Sequence, residues 1–280
     1  MGVFLALASS AMWGSSDFAG GLLTKRAHAV RVVFWSQAGG LIVMCTAMLI
    51  AIGTGHTPTA GGWMVYGPLA GLSGCLGLVS FYAALSLGTM GVVSPITALG
   101  AIVPVLLGIL SGETVGILTG VGLTIALAGA ALASGPELSG AVARLPISLA
   151  VVAAFSFGIT LYLMHLAGNT SVVGGLWGMR ITSVVALGLA WVLWPGGMPG
   201  PALTRRLVPV TMLVGTGDLT ANALFTVASN SGSLAVVSVL GSLYPVMTLL
   251  LARGFLHERL RAIQLVGVAC AVVGVALAVA

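Results

Sequence analysis

Charged residues are scarce in this sequence. Only 5% of its 280 residues are Asp, Glu, Lys or Arg, whereas a soluble globular domain carries about 25%. The hydrophobic fraction is 59% and the mean hydropathy is +1.17. Because a surface in contact with water cannot be built from this composition, the sequence excludes a soluble domain and predicts a protein that resides in a lipid bilayer.

The sequence also lacks the patterns of metal, disulfide and nucleotide sites. Its three cysteines, Cys45, Cys75 and Cys270, lie inside apolar runs at spacings typical of neither a disulfide framework nor a zinc site. The four histidines form no HExxH motif, and no GxxxxGK[ST] phosphate loop occurs. Basic residues are scattered rather than grouped with aromatic residues. We therefore predict no metal, no cofactor and no nucleic-acid partner.

Apolar runs long enough to cross a membrane fill most of the chain. A helix needs about 20 apolar residues to cross the hydrocarbon. Ten runs meet this requirement: 2–23, 30–52, 63–86, 90–110, 114–134, 146–167, 172–194, 207–228, 233–253 and 260–279. They lack the alternation of polar and apolar residues that a β-barrel requires. The sequence predicts an all-α integral membrane protein with ten transmembrane helices, the first run being a helix and not a removable signal.

The two halves of the chain resemble each other. Displacement by 144 or 145 residues superimposes identical residues, among them Gly14 on Gly158, Glu113 on Glu258, Ala126 on Ala271 and Gly129 on Gly274. Each half contains five predicted spans, and two similar halves with an odd number of spans must insert in opposite orientations. We predict one membrane domain made of inverted five-helix repeats over 1–137 and 144–280. Such repeats around a midplane site are typical of secondary transporters.

Two acidic residues, Asp17 and Asp218, lie within the predicted spans, and Arg180 is the one basic residue well inside a span. An ionised Asp at the centre of a bilayer costs roughly 2.5–3.5 kcal/mol, so such a residue is expected to face a cavity or a partner. Asp218 and Asn222 are four residues apart and share a helix face, as do Trp13 and Asp17. Both pairs suit a hydrated pocket between helices. The alternative is that Asp218 pairs with Arg180 only to hold helices together.

Several chemical roles are open to the residues of this predicted pocket. An aspartate in a cavity that opens alternately to each side can load and release a proton, which would couple transport to protons. Arg180 can hold a substrate carboxylate through a bidentate contact, or it can pair with an aspartate. Aromatic walls and ordinary packing are both open to the tyrosines. The candidate substrate-binding or coupling residues are Trp13, Asp17, Tyr82, Arg180, Asp218, Asn222 and Tyr244.

Proline and glutamate residues of the spans have structural interpretations. Pro95, Pro104 and Pro245 lie within predicted spans, where proline kinks a helix. Glu113 and Glu258 each precede the closing helix of their repeat. Because a carboxylate stabilises a helix N-terminus, we predict a structural role for both glutamates.

The sequence resembles one known family in three places. The first helix of EamA-type members of the drug/metabolite transporter superfamily is similar to "ALASSAMWGSSDFAGGLLTKR" (6–26). The family's last two helices resemble "SLAVVSVLGSLYPVMTLLLARGFLHERLRAIQLVGVACAVVGVALA" (233–278), and its second repeat begins like "FSFGITLYL" (155–163). The resemblance implies a ten-helix bundle of two inverted repeats that exports or exchanges small metabolites, often amino acids or related compounds. The acid in "WGSSDF" belongs to a subgroup of the family, and Gly100 stands where the second repeat has Pro245.

These observations predict a secondary active transporter, an exporter of small organic metabolites, and not an enzyme. The expected partners are a small-molecule substrate, the lipid bilayer and, where transport is coupled, protons. We expect a monomer or a weak homodimer in the bacterial cell membrane. The alternatives are a membrane-embedded enzyme and a passive pore, each with Asp17 and Asp218 in a polar cavity. An enzyme would need a nucleophile–base pair or a metal cluster, and a pore would need a continuous polar lining.

The orientation in the membrane is predicted differently by two signals. Nine basic residues lie in or beside the loops after the first, fifth, seventh and ninth spans: Lys25, Arg26, Arg31, Arg144, Arg205, Arg206, Arg253, Arg259 and Arg261. The positive-inside rule makes these loops cytoplasmic and places both termini outside. The family resemblance implies that both termini are inside, and the sequence leaves the two possibilities open.

Overall fold

The computed structural model describes residues 1–88, 90–133, 144–194, 202–256 and 262–279. Within these ranges, every element of regular secondary structure is a helix. The role predicted for Glu258 and the repeat boundary at residue 137 lie outside the described residues.

Each predicted apolar run is occupied by helix. The first half contains α1 (Gly2–Thr24), α2 (Ala29–Gly53), α3 (Trp63–Leu87), α4 (Met90–Ala98), a 3-10 turn (Leu99–Ala101), α5 (Ile102–Leu110) and α6 (Ile117–Ala133). The second half contains α7 (Arg144–Gly168), α8 (Val172–Val192), a 3-10 turn (Arg205–Leu207), α9 (Val208–Asn230), α10 (Leu234–Gly241), α11 (Tyr244–Leu256) and α12 (Ala262–Val279). The boundaries lie within about three residues of those predicted, as is usual for helix ends.

Length and hydropathy identify membrane-spanning candidates among these helices. In the described part of the chain, five helices are long and apolar enough to cross a membrane: Ala29–Gly53, Trp63–Leu87, Arg144–Gly168, Val172–Val192 and Arg205–Asn230. Shorter apolar helices cover Ile96–Leu110, Ile117–Leu132, Leu234–Thr248 and Ala262–Ala278. Large apolar side chains such as Phe4, Leu49 and Leu110 are exposed on the outer surface, where they would contact lipid.

The fourth and ninth predicted spans are interrupted at corresponding positions. In the first half, the 3-10 turn Leu99–Ala101 separates α4 from α5. In the second half, α10 ends at Gly241 and α11 begins at Tyr244. Pro245 is the second residue of α11, where its missing N–H leaves no intrahelical bond unmade. The prediction of a kink at Pro245 thus coincides with a break between two helices.

The helices that close the two halves pack against each other through small residues. A Cβ atom on Gly129 would overlap the backbone nitrogen of Ala271, and a Cβ atom on Gly274 would overlap that of Ala126. The 145-residue displacement exchanges these two contacts. The backbones of α6 and α12 therefore approach about as closely as glycine permits, which is typical of helix packing in membranes.

A second pair of close contacts is exchanged by the 144-residue displacement. A Cβ atom on Gly14 would overlap the carbonyl oxygen of Tyr244, and one on Gly158 would overlap that of Gly100. In the same way, α1 packs along α9 while its counterpart α7 packs along α3. Each half thus contributes a helix that inserts against the other half, and the interior between them is the place where residues of both halves meet.

Candidate substrate-binding site

A cavity of about 80 Å³ lies between the two halves. Its lining is mainly apolar, with a small number of polar side chains, which is usual for a small-molecule site. The polar and aromatic lining residues are Trp13, Asp17, Gln37, Thr97, Phe157, Thr160, Ser183, Asp218, Asn222, Ser242 and Tyr244. They come from helices of both halves. Five of the seven candidate residues predicted from the sequence therefore line one cavity, and the two that do not are Tyr82 and Arg180.

Asp17 lies on α1 one turn after Trp13, and both side chains line the cavity. Trp13 also packs on Phe225, with 5.6 Å between the ring centroids. Asp17 is partly exposed to the cavity, and among the described residues none donates a hydrogen bond to its carboxylate. The cavity therefore contains a carboxylate that the described residues leave available to a ligand or a proton.

Asp218 differs from Asp17 because its carboxylate accepts hydrogen bonds from two side chains. Arg180 donates from Nη2 to Oδ2 of Asp218 at 2.7 Å, and Asn222 donates from Nδ2 to the same oxygen at 3.1 Å. Arg180 also donates from Nη1 to Oε1 of Gln37. The side chain of Arg180 is 0% exposed and that of Asp218 is 13% exposed. This arrangement is a buried ion pair that joins α2, α8 and α9 beside the cavity.

Arg180 is fixed by its surroundings and does not line the cavity. A Cβ atom on Gly40 would lie 3.1 Å from Nε of Arg180, so the absence of a side chain at Gly40 makes room for the guanidinium. Within the described part of the chain, Nε of Arg180 and Nε2 of Gln37 have no hydrogen-bond partner. Of the two roles that the sequence left open for Arg180, the structure shows pairing with Asp218.

The two candidate tyrosines occupy different environments. Tyr244 lines the cavity, and its hydroxyl lies 2.6 Å from Oγ1 of Thr97, which joins α11 to α4 across the two halves. Tyr82 is 2% exposed and is not part of the cavity lining. Its hydroxyl packs against Gly20 on α1, at a position where any side chain would overlap it. Tyr82 therefore packs against α1 and does not form a wall of the site.

Five polar lining residues were not among the seven candidates: Gln37, Thr97, Thr160, Ser183 and Ser242. Gln37 is the single amide of its apolar run and is 1% exposed, so its isolation in the sequence was a usable signal. Thr97 and Thr160 each donate to a carbonyl of the preceding turn, at 3.0 and 2.7 Å. Because threonine in a membrane helix usually bonds its own backbone in this way, the sequence offers no signal for the two threonines.

Glu113 stabilises a helix of the other half. Its carboxylate oxygens lie 3.3 and 3.4 Å from the backbone nitrogen of Ala235, in the first turn of α10. Ser233 caps the same turn by accepting from the backbone nitrogen of Val236 at 3.2 Å. The sequence pointed to a helix N-terminus, but the helix that receives the charge is α10 and not the closing helix α6. Close approach of the two halves brings Glu113 to this position.

Comparison with known proteins identifies the family of this chain. The profile described as "EamA-like transporter family" matches residues 1–135 and 144–280. The chain therefore belongs to the EamA-like transporter family and is a multi-pass membrane transporter, as the resemblance predicted. A solved structure described as "Crystal structure of protein" has a TM-score of 0.79 and 17% sequence identity, and the match covers 99% of this chain and 98% of that chain. At that identity the likeness concerns the fold. Among curated proteins, none matches the sequence significantly.

Proposed function

We propose that this protein is a secondary active transporter that exports small organic metabolites, amino acids or related compounds, across a bacterial cell membrane. In this proposal, ten transmembrane helices form two inverted five-helix repeats, 1–137 and 144–280. The observation that carries the proposal is a cavity between the two halves whose lining includes Asp17, a carboxylate with no partner among the described residues. Its substrate is a small molecule, and the protein works as a monomer or weak homodimer.

The contacts between the halves support a mechanism of alternating access. Some contacts between the halves come in pairs that are related by the repeat, as for the contact of Gly129 with Ala271 and that of Gly274 with Ala126. Two arrangements of the same halves can thus have similar energies, with the cavity open to opposite sides of the membrane. Both helix interruptions, between α4 and α5 and between α10 and α11, lie beside the cavity. The end of α4 supplies Thr97 to its lining, and the start of α11 supplies Tyr244.

The two aspartates have separate roles in this mechanism. Asp218 is neutralised by Arg180, so it shapes the site and holds Asn222 in position. Asp17 is free to exchange a proton or a substrate group as the cavity changes sides. Trp13 and Tyr244 form apolar walls that exclude water around it. Coupling to protons through Asp17 follows if substrate and proton compete for this carboxylate.

A comparison of metabolites tests this function for any small-molecule substrate. Cells that overexpress the protein, its Asp17→Asn variant or its Glu113→Gln variant are compared with cells lacking it, and small molecules in cells and medium are measured by mass spectrometry. We expect at least one metabolite to accumulate in the medium with the parent protein and with Glu113→Gln, but not with Asp17→Asn. Glu113→Gln is the matched control because it makes the same carboxylate-to-amide change outside the cavity. Identical profiles for all strains, with the proteins present in the membrane, would contradict export.

A further inference from the structure

We infer that the substrate of this site is a small organic cation, with its positive charge paired to Asp17 and its apolar part against Trp13 and Tyr244. This inference rests on the proposed transport function. It narrows the proposed range of metabolites to organic cations that carry no carboxylate, and so it favours amines over zwitterionic amino acids.

The charge balance of the cavity is the first reason. Two carboxylates line it, those of Asp17 and Asp218. The charge of Asp218 is matched by Arg180, whose guanidinium lies 2.7 Å from it and is completely buried. Asp17 has no such partner among the described residues. The site therefore carries one uncompensated negative charge when both carboxylates are ionised, and a monovalent cation restores neutrality.

Among the side chains that the structure describes, the groups around α1 supply no other cation near Asp17. Facing α1, helix α9 contributes Asp218, α11 contributes Tyr244 and α3 contributes Tyr82, while the described parts of α2 and α10 add no charged group at the cavity. Lys25 is exposed and follows Asp17 by eight residues, about 12 Å along the helix. Arg31 lies at the start of α2, with its guanidinium carbon 5.8 Å from the ring of Trp191.

An anionic substrate would meet the wrong charge. Its carboxylate would have to approach Asp17 and Asp218 without a cationic donor among the described lining residues, because Arg180 does not line the cavity and donates to Asp218 and Gln37. Burial of such an unpaired charge is strongly unfavourable. A zwitterion would satisfy Asp17 through its amine, but its carboxylate would meet no cationic side chain among the described lining residues, where the unbonded donor is the neutral amide Nε2 of Gln37. A cation without a carboxylate avoids both costs.

The aromatic residues of the cavity fit an organic cation. Trp13 lies one helical turn from Asp17, and Tyr244 and Phe157 also line the cavity. The Tyr244 hydroxyl is already bonded to Thr97 at 2.6 Å, so its ring is the surface that it offers to a ligand. Aromatic faces attract ammonium groups, and more strongly where water is excluded. The volume of about 80 Å³ is several times the roughly 10–15 Å³ that one water needs, which limits this conformation to a small ligand.

Binding to the purified protein in detergent tests the inference with ligands of one shape and three charges. The cation is choline. Its neutral isostere carries a tert-butyl group in place of trimethylammonium. The anion is the carboxylate of tert-butylacetic acid. Phenyltrimethylammonium and benzylamine extend the cation series. Affinity is measured by isothermal titration calorimetry, and proton release is followed with a pH indicator in weak buffer.

We expect at least one cation to bind at least about tenfold more tightly than the neutral isostere and the anion, as a charge-assisted contact implies. Asp17→Asn should remove this preference, Asp17→Glu should restore part of it, and Glu113→Gln should retain it. Binding should weaken as the pH falls, because protons compete with the cation for Asp17. Preference for the anion, failure of all three cations to bind, or equal cation binding by Asp17→Asn would each overturn the inference.

The binding experiment is independent of transport. If a cation binds through Asp17 but no gradient drives its flux in proteoliposomes, the proposed function fails while the assignment of the site stands. If flux of a non-cationic metabolite depends on Asp17 and no cation binds, the transport function stands and the cation assignment fails.

Discussion

Removal of the Asp218 carboxylate should destabilise this protein because it leaves Arg180 buried without its counter-ion. The guanidinium is 0% exposed and lies 2.7 Å from the carboxylate. Loss of one partner of a buried ion pair costs about 3–5 kcal/mol. The lower figure of about 3 kcal/mol applies to Asp218→Ala, because the carboxylate is 13% exposed and Gln37 still accepts from Arg180. At about 2–4 °C per kcal/mol, this predicts an unfolding temperature lowered by about 6–12 °C.

The assay is thermal unfolding of the purified variants in one detergent, combined in a double-mutant cycle with Arg180→Met. Methionine retains much of the side-chain volume and removes the charge, so Asp218→Ala should cost much less in the Arg180→Met background. Asp17→Ala is the control, since it removes a carboxylate that no described residue bonds; its unfolding temperature should stay within about 2 °C of the parent. An equal loss from Asp218→Ala in both backgrounds would refute the ion-pair reasoning.

Two further predictions concern packing and the link between the halves. Gly215→Ala should lower the free energy of unfolding by about 1–3 kcal/mol, because a Cβ atom there would overlap the carbonyl oxygen of Ser36. The control is Gly254→Ala, where nothing lies within 4 Å and the change should be neutral or slightly stabilising. Similar losses of stability for both variants would contradict this packing. Tyr244→Phe should cost about 1 kcal/mol because its hydroxyl lies 2.6 Å from Thr97, and it should add little to Thr97→Val; fully additive losses would show that the hydrogen bond is not shared.

The helices could be predicted from the sequence because membrane insertion depends on local properties. Length and hydropathy fix where a run such as 30–52 becomes the helix Ala29–Gly53. The break between α10 and α11 was less accessible, since Pro245 predicted a kink but not the interruption at 242–243. How two helix segments separate depends on the packing around them, and this information is not local.

The site was predicted in part, for reasons that follow from helix geometry. Asp218 and Asn222 share a face because they are four residues apart, and the structure shows their hydrogen bond. Three other features depend on which helices meet: the packing of Tyr82 against α1, the contribution of Gln37 to the cavity lining, and the contact of Glu113 with α10. An apolar sequence says little about helix partners, because glycine and alanine contacts of the kind at Gly129 occur throughout the chain.

Transport by the purified protein is the measurement that tests the central claim most directly. Proteoliposomes containing the parent, Asp17→Asn or Glu113→Gln protein are loaded with the metabolite found by mass spectrometry or the cation found by calorimetry, and its flux down an imposed gradient is recorded against concentration. We expect a saturable flux for the parent and Glu113→Gln, and a flux at the level of protein-free liposomes for Asp17→Asn. A flux that rises linearly with concentration, or one that Asp17→Asn leaves unchanged, would contradict transport through this site.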